Sequence, residues 1–162
     1  MAEGELLGRF EGFNNEPDME SAYAYIYAGR HDRACEVIRA GMSQCYGDSR
    51  GGLVGNDDSG GMSSWYVWSA LGLFPVAGQD VFLIGSPLFE RAEVQLGQGP
   101  VFVVESEGGG AKSPYVQAVV LNGKPLARPF LQWKDLCSGG TLSIEMSQHP
   151  TVWTHQRPPS IV

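Results

Sequence analysis

The stretch from Gly61 to Phe74 sets the hardest condition on the fold. It carries Met62, Trp65, Tyr66, Val67, Trp68, Ala70, Leu71, Leu73 and Phe74, so as a helix it is apolar nearly all round and needs cover on every side. Pro75 is expected to end it. A bilayer is not the cover, because Ser69 and Gly72 interrupt the run and its length falls short of the roughly 18–20 apolar residues of a membrane span. The cover must be protein. With 162 residues, 43% of them hydrophobic, the chain is long enough to bury a sizeable core as about one domain. Eleven Lys and Arg against eighteen Asp and Glu give a formal charge of −7, which leaves no basic footprint for nucleic acid.

The rest of the chain divides near residue 78. Residues 1–78 read as helical, residues 79–150 as antiparallel strands and residues 151–162 as a tail expected to lack fixed structure. Pro17 suits a first helical turn, which predicts a helix over Met19 to Ala28 stopped by Gly29. A second helix opens at His31 and Asp32, with Ala34, Val37, Ile38, Met42 and Cys45 forming one apolar stripe. Residues 47–60 form a glycine-dense loop. Beyond residue 80, short β-branched runs over 81–84, 92–96, 101–105, 115–121 and 141–146 predict an antiparallel sheet of five or six strands. Asn122-Gly123 is the strongest hairpin signal, since both central residues of a type I′ turn need positive φ. Cys35, Cys45 and Cys137 lack metal-ligand or disulfide spacing and are expected to be packing residues. His31, His149 and His155 are scattered and are expected at the surface.

Chemistry concentrates in two oxygen-rich segments, each at a helix start. Asn56-Asp57-Asp58-Ser59, between Gly55 and Gly60, precedes the apolar helix. One carboxylate there reads as a cap at the positive end of the helix dipole beside a solvated companion, or as a general base or metal ligand held in a tight loop. Asn14-Asn15-Glu16-Pro17-Asp18 has the same character, and two such loops facing each other would offer hard ligands suited to calcium.

Together these residues resemble a known family. Glu11-Gly-Phe-Asn-Asn-Glu-Pro17, Tyr27-Ala-Gly-Arg30, Gly52-Leu-Val-Gly-Asn-Asp-Asp-Ser-Gly60, Met62-Ser-Ser-Trp-Tyr-Val67, Ser69 to Val76, Ile84-Gly-Ser-Pro-Leu-Phe89 and Leu121-Asn-Gly-Lys-Pro-Leu126 follow, in order, the C-terminal portion of glycoside hydrolase family 92. The resemblance implies an α+β chain, in which C-terminal helices of an (α/α)6 barrel precede a β-rich segment. It also implies a calcium-dependent, inverting exo-α-mannosidase that acts on terminal α-linked mannose of glycans, with α-1,2 linkages expected. Asp58 falls on the family's general base, beside Asp57. Asn56 stands where some members place an acid that helps position the attacking water. Asn15 and Glu16 match the Asn-Glu-Pro motif, expected at the calcium and, for Glu16, also at the sugar. After Pro17 this chain reads Asp18-Met19-Glu20-Ser21, where many members have a histidine-containing stretch.

Inversion needs a carboxylic acid about 6.5–9.5 Å from the base, across the sugar. The family's acid lies well upstream of Asn-Glu-Pro, and no segment here corresponds to it. The resemblance therefore implies a portion of a larger mannosidase whose partner is the missing N-terminal part, and which alone is expected to be inactive. Met1 to Leu7 lacks the features of a secretory signal, while family members are commonly secreted or periplasmic. A competing reading is a non-catalytic carbohydrate-binding module whose Tyr115, Phe130, Trp133 and Trp153 form a stacking platform. A calcium-stabilised structural domain is a third.

Overall fold

In the computed structural model, residues 15–110 and 112–160 are described. The motif residues Glu11 to Asn14, the start at Met1 to Leu7, and the last two tail residues, 161 and 162, lie outside them. Helix α1, Glu16–Tyr27, begins three residues before the position that the spacing predicts. Pro17 sits in its first turn, where a missing N–H costs no hydrogen bond. Ala28 caps it and Gly29 follows at φ 75, the left-handed turn-off that glycine adopts without strain. Helix α2, His31–Cys45, buries Ala34, Cys35, Val37, Ile38 and Met42 along one stripe.

Helix α3, Gly61–Leu71, stops short of the expected Phe74. Gly72 takes φ 78, and a Cβ there would lie 2.8 Å from Pro87 Cβ. Only glycine both reverses the chain and lets Pro87 close on it. Leu73–Pro75 then becomes strand β1 and pairs with β2, Phe82–Ile84. Pro75 lies on an edge strand of that sheet, where its missing N–H is tolerated.

The β-rich half holds β3, Arg91–Gln95; β4, Val101–Glu107; β5, Tyr115–Leu121; β6, Lys124–Pro125; β7, Phe130–Leu131; the short helix α4, Trp133–Leu136; and β8, Gly140–Ser147. The strands form two sheets rather than one. The order is β1-β2-β7 in the smaller and β3-β4-β8-β5-β6 in the larger. Pairing is antiparallel except between β4 and β8, which run parallel. The hairpin at Asn122-Gly123 forms as expected, with φ 50 and 77 at the two residues and Leu121 opposite Lys124.

Alternation along β4 and β8 turns Phe102, Val104, Leu142 and Ile144 inward. On β5 a register shift between Val116 and Ala118 lets Val116 and Val119 both face the core, which strict alternation forbids. Two apolar clusters result. One gathers Tyr23, Ile26, Ile38, Met62 and Trp65 among the helices. The other gathers Phe102, Leu142 and Ile144 on the larger sheet with Leu131 from the smaller one and takes Cys35 from α2. Helix α2 thus contributes to both, and the fold is α+β.

Three local expectations change. His31 is 5% exposed rather than a surface residue. Its Nε2–H donates to Ile84 O at 2.8 Å, and its Nδ1 lies 3.4 Å from Cys35 Sγ. Only Cys35 is fully buried, Cys45 and Cys137 being half-buried. Residues 151–160 have no regular secondary structure, yet they lie along the body as a strap. Thr151 Oγ1 donates to Val116 O, the Trp153 ring stands edge-on to His31 at 5.3 Å, Thr154 Oγ1 donates to Ala127 O, and Pro158 is buried.

Candidate active site

The site grows from the loop between α2 and α3. Tyr46, at the end of α2, donates its hydroxyl to Met62 O at 2.8 Å and stacks on Trp65 with ring centroids 5.9 Å apart. Gly47 N and Gly52 O bond at 2.9 Å and pinch off a small turn. A Cβ on Gly52 would fall 2.0 Å from Gly47 O, so this closure requires glycine. The chain then returns through Gly55, at φ 60, to the acidic run.

The two neighbouring aspartates differ in environment. Asp57 turns its carboxylate onto the first turn of α3, where Oδ1 accepts from Ser63 N at 2.8 Å and Oδ2 accepts from Ser63 Oγ at 3.0 Å. It satisfies an amide that the helix start leaves without a partner, and it places negative charge at the positive end of the dipole. Asp58 opens a single 3-10 turn, Asp58–Gly60, and is exposed. Among the described residues its carboxylate has no hydrogen-bond or ion-pair partner. Ser59 at φ 53 and Gly60 at φ 76 are left-handed, which gives the turn its abrupt exit into α3. Asn56 is exposed on the approach.

The second acidic segment meets the first. Trp65 Nε1–H donates to Met19 O at 3.0 Å, tying α3 to α1. Glu16, the first residue of α1, lies over Gly61, where an added Cβ would come within 3.1 Å of its Oε1. That Oε1 is buried and, among the described residues, without a hydrogen-bond partner. Asn15 precedes it as an exposed helix cap whose side chain makes no capping bond. The structure therefore brings the Asn15-Glu16 segment against the turn that carries Asp57 and Asp58.

A buried carboxylate oxygen without a donor is costly unless a cation or a proton satisfies it. Asn15 and Glu16 supply oxygen donors of the class calcium prefers, but calcium takes six to eight. Among the described residues no group of three or more His, Cys, Asp and Glu is disposed to hold a metal. The donor set thus fits part of a calcium site.

Sequence reasoning singled out the acidic residues but missed two that fix their geometry. Ser63 holds Asp57, and a serine in the first turn of a helix that follows an acidic loop was a legible capping signal. Gly61 makes room for Glu16, a requirement that only the packing reveals. The proposed aromatic platform does not assemble. Tyr115 and Trp153 pack against the sheet cluster, Phe130 packs against the helical one beneath the Arg128 guanidinium, and Trp133 is 53% exposed.

Residues 7–148 match the family model described as the glycosyl hydrolase family 92 catalytic domain. An uncharacterized secreted glycosidase of Arthroderma benhamiae is 33% identical over 153 residues, which is 91% of this chain and 20% of that protein. Among solved structures, a family 92 α-mannosidase of Bacteroides thetaiotaomicron in complex with mannoimidazole superposes with a TM-score of 0.87 at 32% identity, over 91% of this chain and 20% of that one. A family 92 inverting mannosidase of the same bacterium gives a TM-score of 0.81 at 34% identity, over 89% and 20%. The chain thus spans about a fifth of the length of these relatives.

Proposed function

This chain belongs to glycoside hydrolase family 92, and from that membership we propose that its residues supply the general base and part of the calcium and sugar site of an inverting α-mannosidase acting on mannose-terminated glycans. The observation that carries the reading is the division of labour between the aspartates. Asp57 is engaged with Ser63, so Asp58, exposed at the tip of the 3-10 turn, is the carboxylate free to receive a proton from water.

In an inverting mechanism the base deprotonates water on one face of the sugar while an acid protonates the leaving oxygen on the other. Asp58 fills the first role. Asn56, next to it on the loop, would help orient the water, and Asp57 would hold the loop in register through Ser63. Glu16 and Asn15 would bind calcium from one side, and Glu16 would also face the sugar. Calcium, when bound, would grip sugar hydroxyls and favour distortion of the ring. The acid and the remaining calcium ligands would come from the larger part of the family's length, which these residues do not span. Residues 1–78 would then be a part of the catalytic barrel and residues 79–150 a β segment that supports it. The likeness to a secreted glycosidase of Arthroderma benhamiae supports a secreted parent protein.

The test is calorimetric titration of the chain with mannoimidazole, with calcium present and then chelated. Calcium-dependent binding that Asp58→Asn or Glu16→Gln weakens at least tenfold is the expected result. Binding that ignores calcium and both substitutions would overturn the assignment. In a polypeptide that also carries the acid, Asp58→Asn should abolish turnover of an α-mannoside while leaving the fold intact.

A further inference from the structure

The aromatic side chains of the β half divide into those that the fold packs and one that it does not. Tyr115 and Trp153 pack against the sheet cluster and Phe130 against the helical one. Trp133, the first residue of α4, belongs to neither cluster and is 53% exposed. An indole is the largest apolar side chain, so leaving half of it in water forgoes burial that would stabilise the fold. The backbone beneath it is nevertheless pinned. Trp133 N–H donates to Asp80 Oδ1 at 2.6 Å, and Trp133 O accepts from Cys137 N at 2.8 Å. Asp135, two residues on, accepts from the Gln132 amide and from the Arg128 guanidinium, each at 2.7 Å. The indole therefore stands on a fixed base. Its neighbours are polar: Asp80 and Lys134 are exposed, and among the described residues neither Asp80 Oδ2 nor the Lys134 ammonium has a hydrogen-bond partner.

We propose that Trp133, with Asp80 and Lys134, forms a second sugar-binding site, which takes a mannose residue of the glycan other than the one presented to Asp58. A mannopyranose ring carries C–H groups on one face and hydroxyls around its rim. The face stacks on the exposed indole, while the rim meets an acceptor in Asp80 Oδ2 and a donor in the Lys134 ammonium. The same surroundings argue against a protein partner. The core of a protein interface is depleted of charged residues, whereas this indole has a carboxylate and an ammonium beside it. Holding one residue of a branched glycan at Trp133 raises the effective concentration of its other termini around the chain. The choice of mannose rests on the reading of function given above, but the stacking itself uses neither Asp58, Glu16 nor calcium.

Affinity electrophoresis through native gels containing branched α-mannan, with calcium chelated, tests it. The unaltered chain is expected to be retarded, and Asp58→Asn equally so. Trp133→Ala should be retarded at least fivefold less, while Trp133→Phe keeps part of the effect because it keeps a ring. Circular dichroism verifies the fold of each variant. A second measurement needs no weakened variant: the Trp133 indole N–H resonance, assigned by its absence in Trp133→Phe, should shift when methyl α-mannoside is added to the unaltered chain. Equal retardation of Trp133→Ala and the unaltered chain, no retardation of the folded chain, or an indole resonance that stays in place overturns the proposal. Failure of the active-site reading is read separately, as mannoimidazole binding that Asp58→Asn leaves unchanged.

Discussion

Removing the Asp57 side chain takes the acceptor from the Ser63 amide, so Asp57→Ala should cost about 1–2 kcal/mol in urea unfolding, and Ser63→Ala, which removes the hydroxyl that donates to Asp57 Oδ2, about 1 kcal/mol. Asp58→Asn breaks no bond to a described residue and should leave the midpoint within about 0.5 kcal/mol of the original. The stability measurement thus separates the structural aspartate from the free one before any substrate is added. Gly61→Ala tests the neighbouring acid. Its new methyl presses on Glu16 Oε1 at 3.1 Å, and it should weaken calcium-dependent mannoimidazole binding about tenfold by displacing that oxygen. His31 gives a pH signature of its own. Burial pushes its pKa from 6.5 down to about 4, so between those values the unfolded chain binds more protons than the folded one. Its contribution is complete above pH 6.5 and is lost as pH falls towards 4, about 3 kcal/mol in all. His31→Gln should flatten that slope in urea titrations at pH 4.5 and 7.

Among the elements, Gly72 decides where α3 ends. Gly72→Ala forces an L side chain to φ 78 and drives a methyl towards Pro87, so a loss of about 2–4 kcal/mol in thermal unfolding is expected. The sequence shows the apolar helix but points to Pro75 as its stop, because proline is the visible breaker. The true stop depends on Pro87 packing against Gly72, which local pattern cannot display. The same contrast runs through the β half. The 115–121 run and its Asn122-Gly123 turn are legible because hairpins are local. The parallel union of β4 with β8 is not, because it joins runs about forty residues apart through register alone. At the site, the motif pointed to Asp58 first with Asp57 beside it, but not to what sets them apart, because their distinct environments arise from Ser63 on the far side of the turn. Glu16 was legible as an acid by its motif, but its burial against Gly61 depends on α1 crossing the start of α3.

For the molecule as a whole, the strap couples the two halves. It bonds to β5 through Thr151, touches α2 through Trp153 and His31, and ends with Ser160 in a groove beside Tyr23 and Phe74. Trp153→Ala should therefore lower the unfolding midpoint of the helical and sheet clusters together, as one transition followed by fluorescence and circular dichroism, with a loss of about 2–4 kcal/mol. The order of the larger sheet carries a consequence for how the chain is made. Strand β8 lies in the middle of that sheet, between β4 and β5, yet among the described residues it is the last strand of the five in sequence. During vectorial synthesis β4 and β5 must wait with open edges until residues 140–147 leave the ribosome. The sheet is keyed like an arch, and until its final stone arrives the earlier strands are a surface on which two nascent chains can pair with each other.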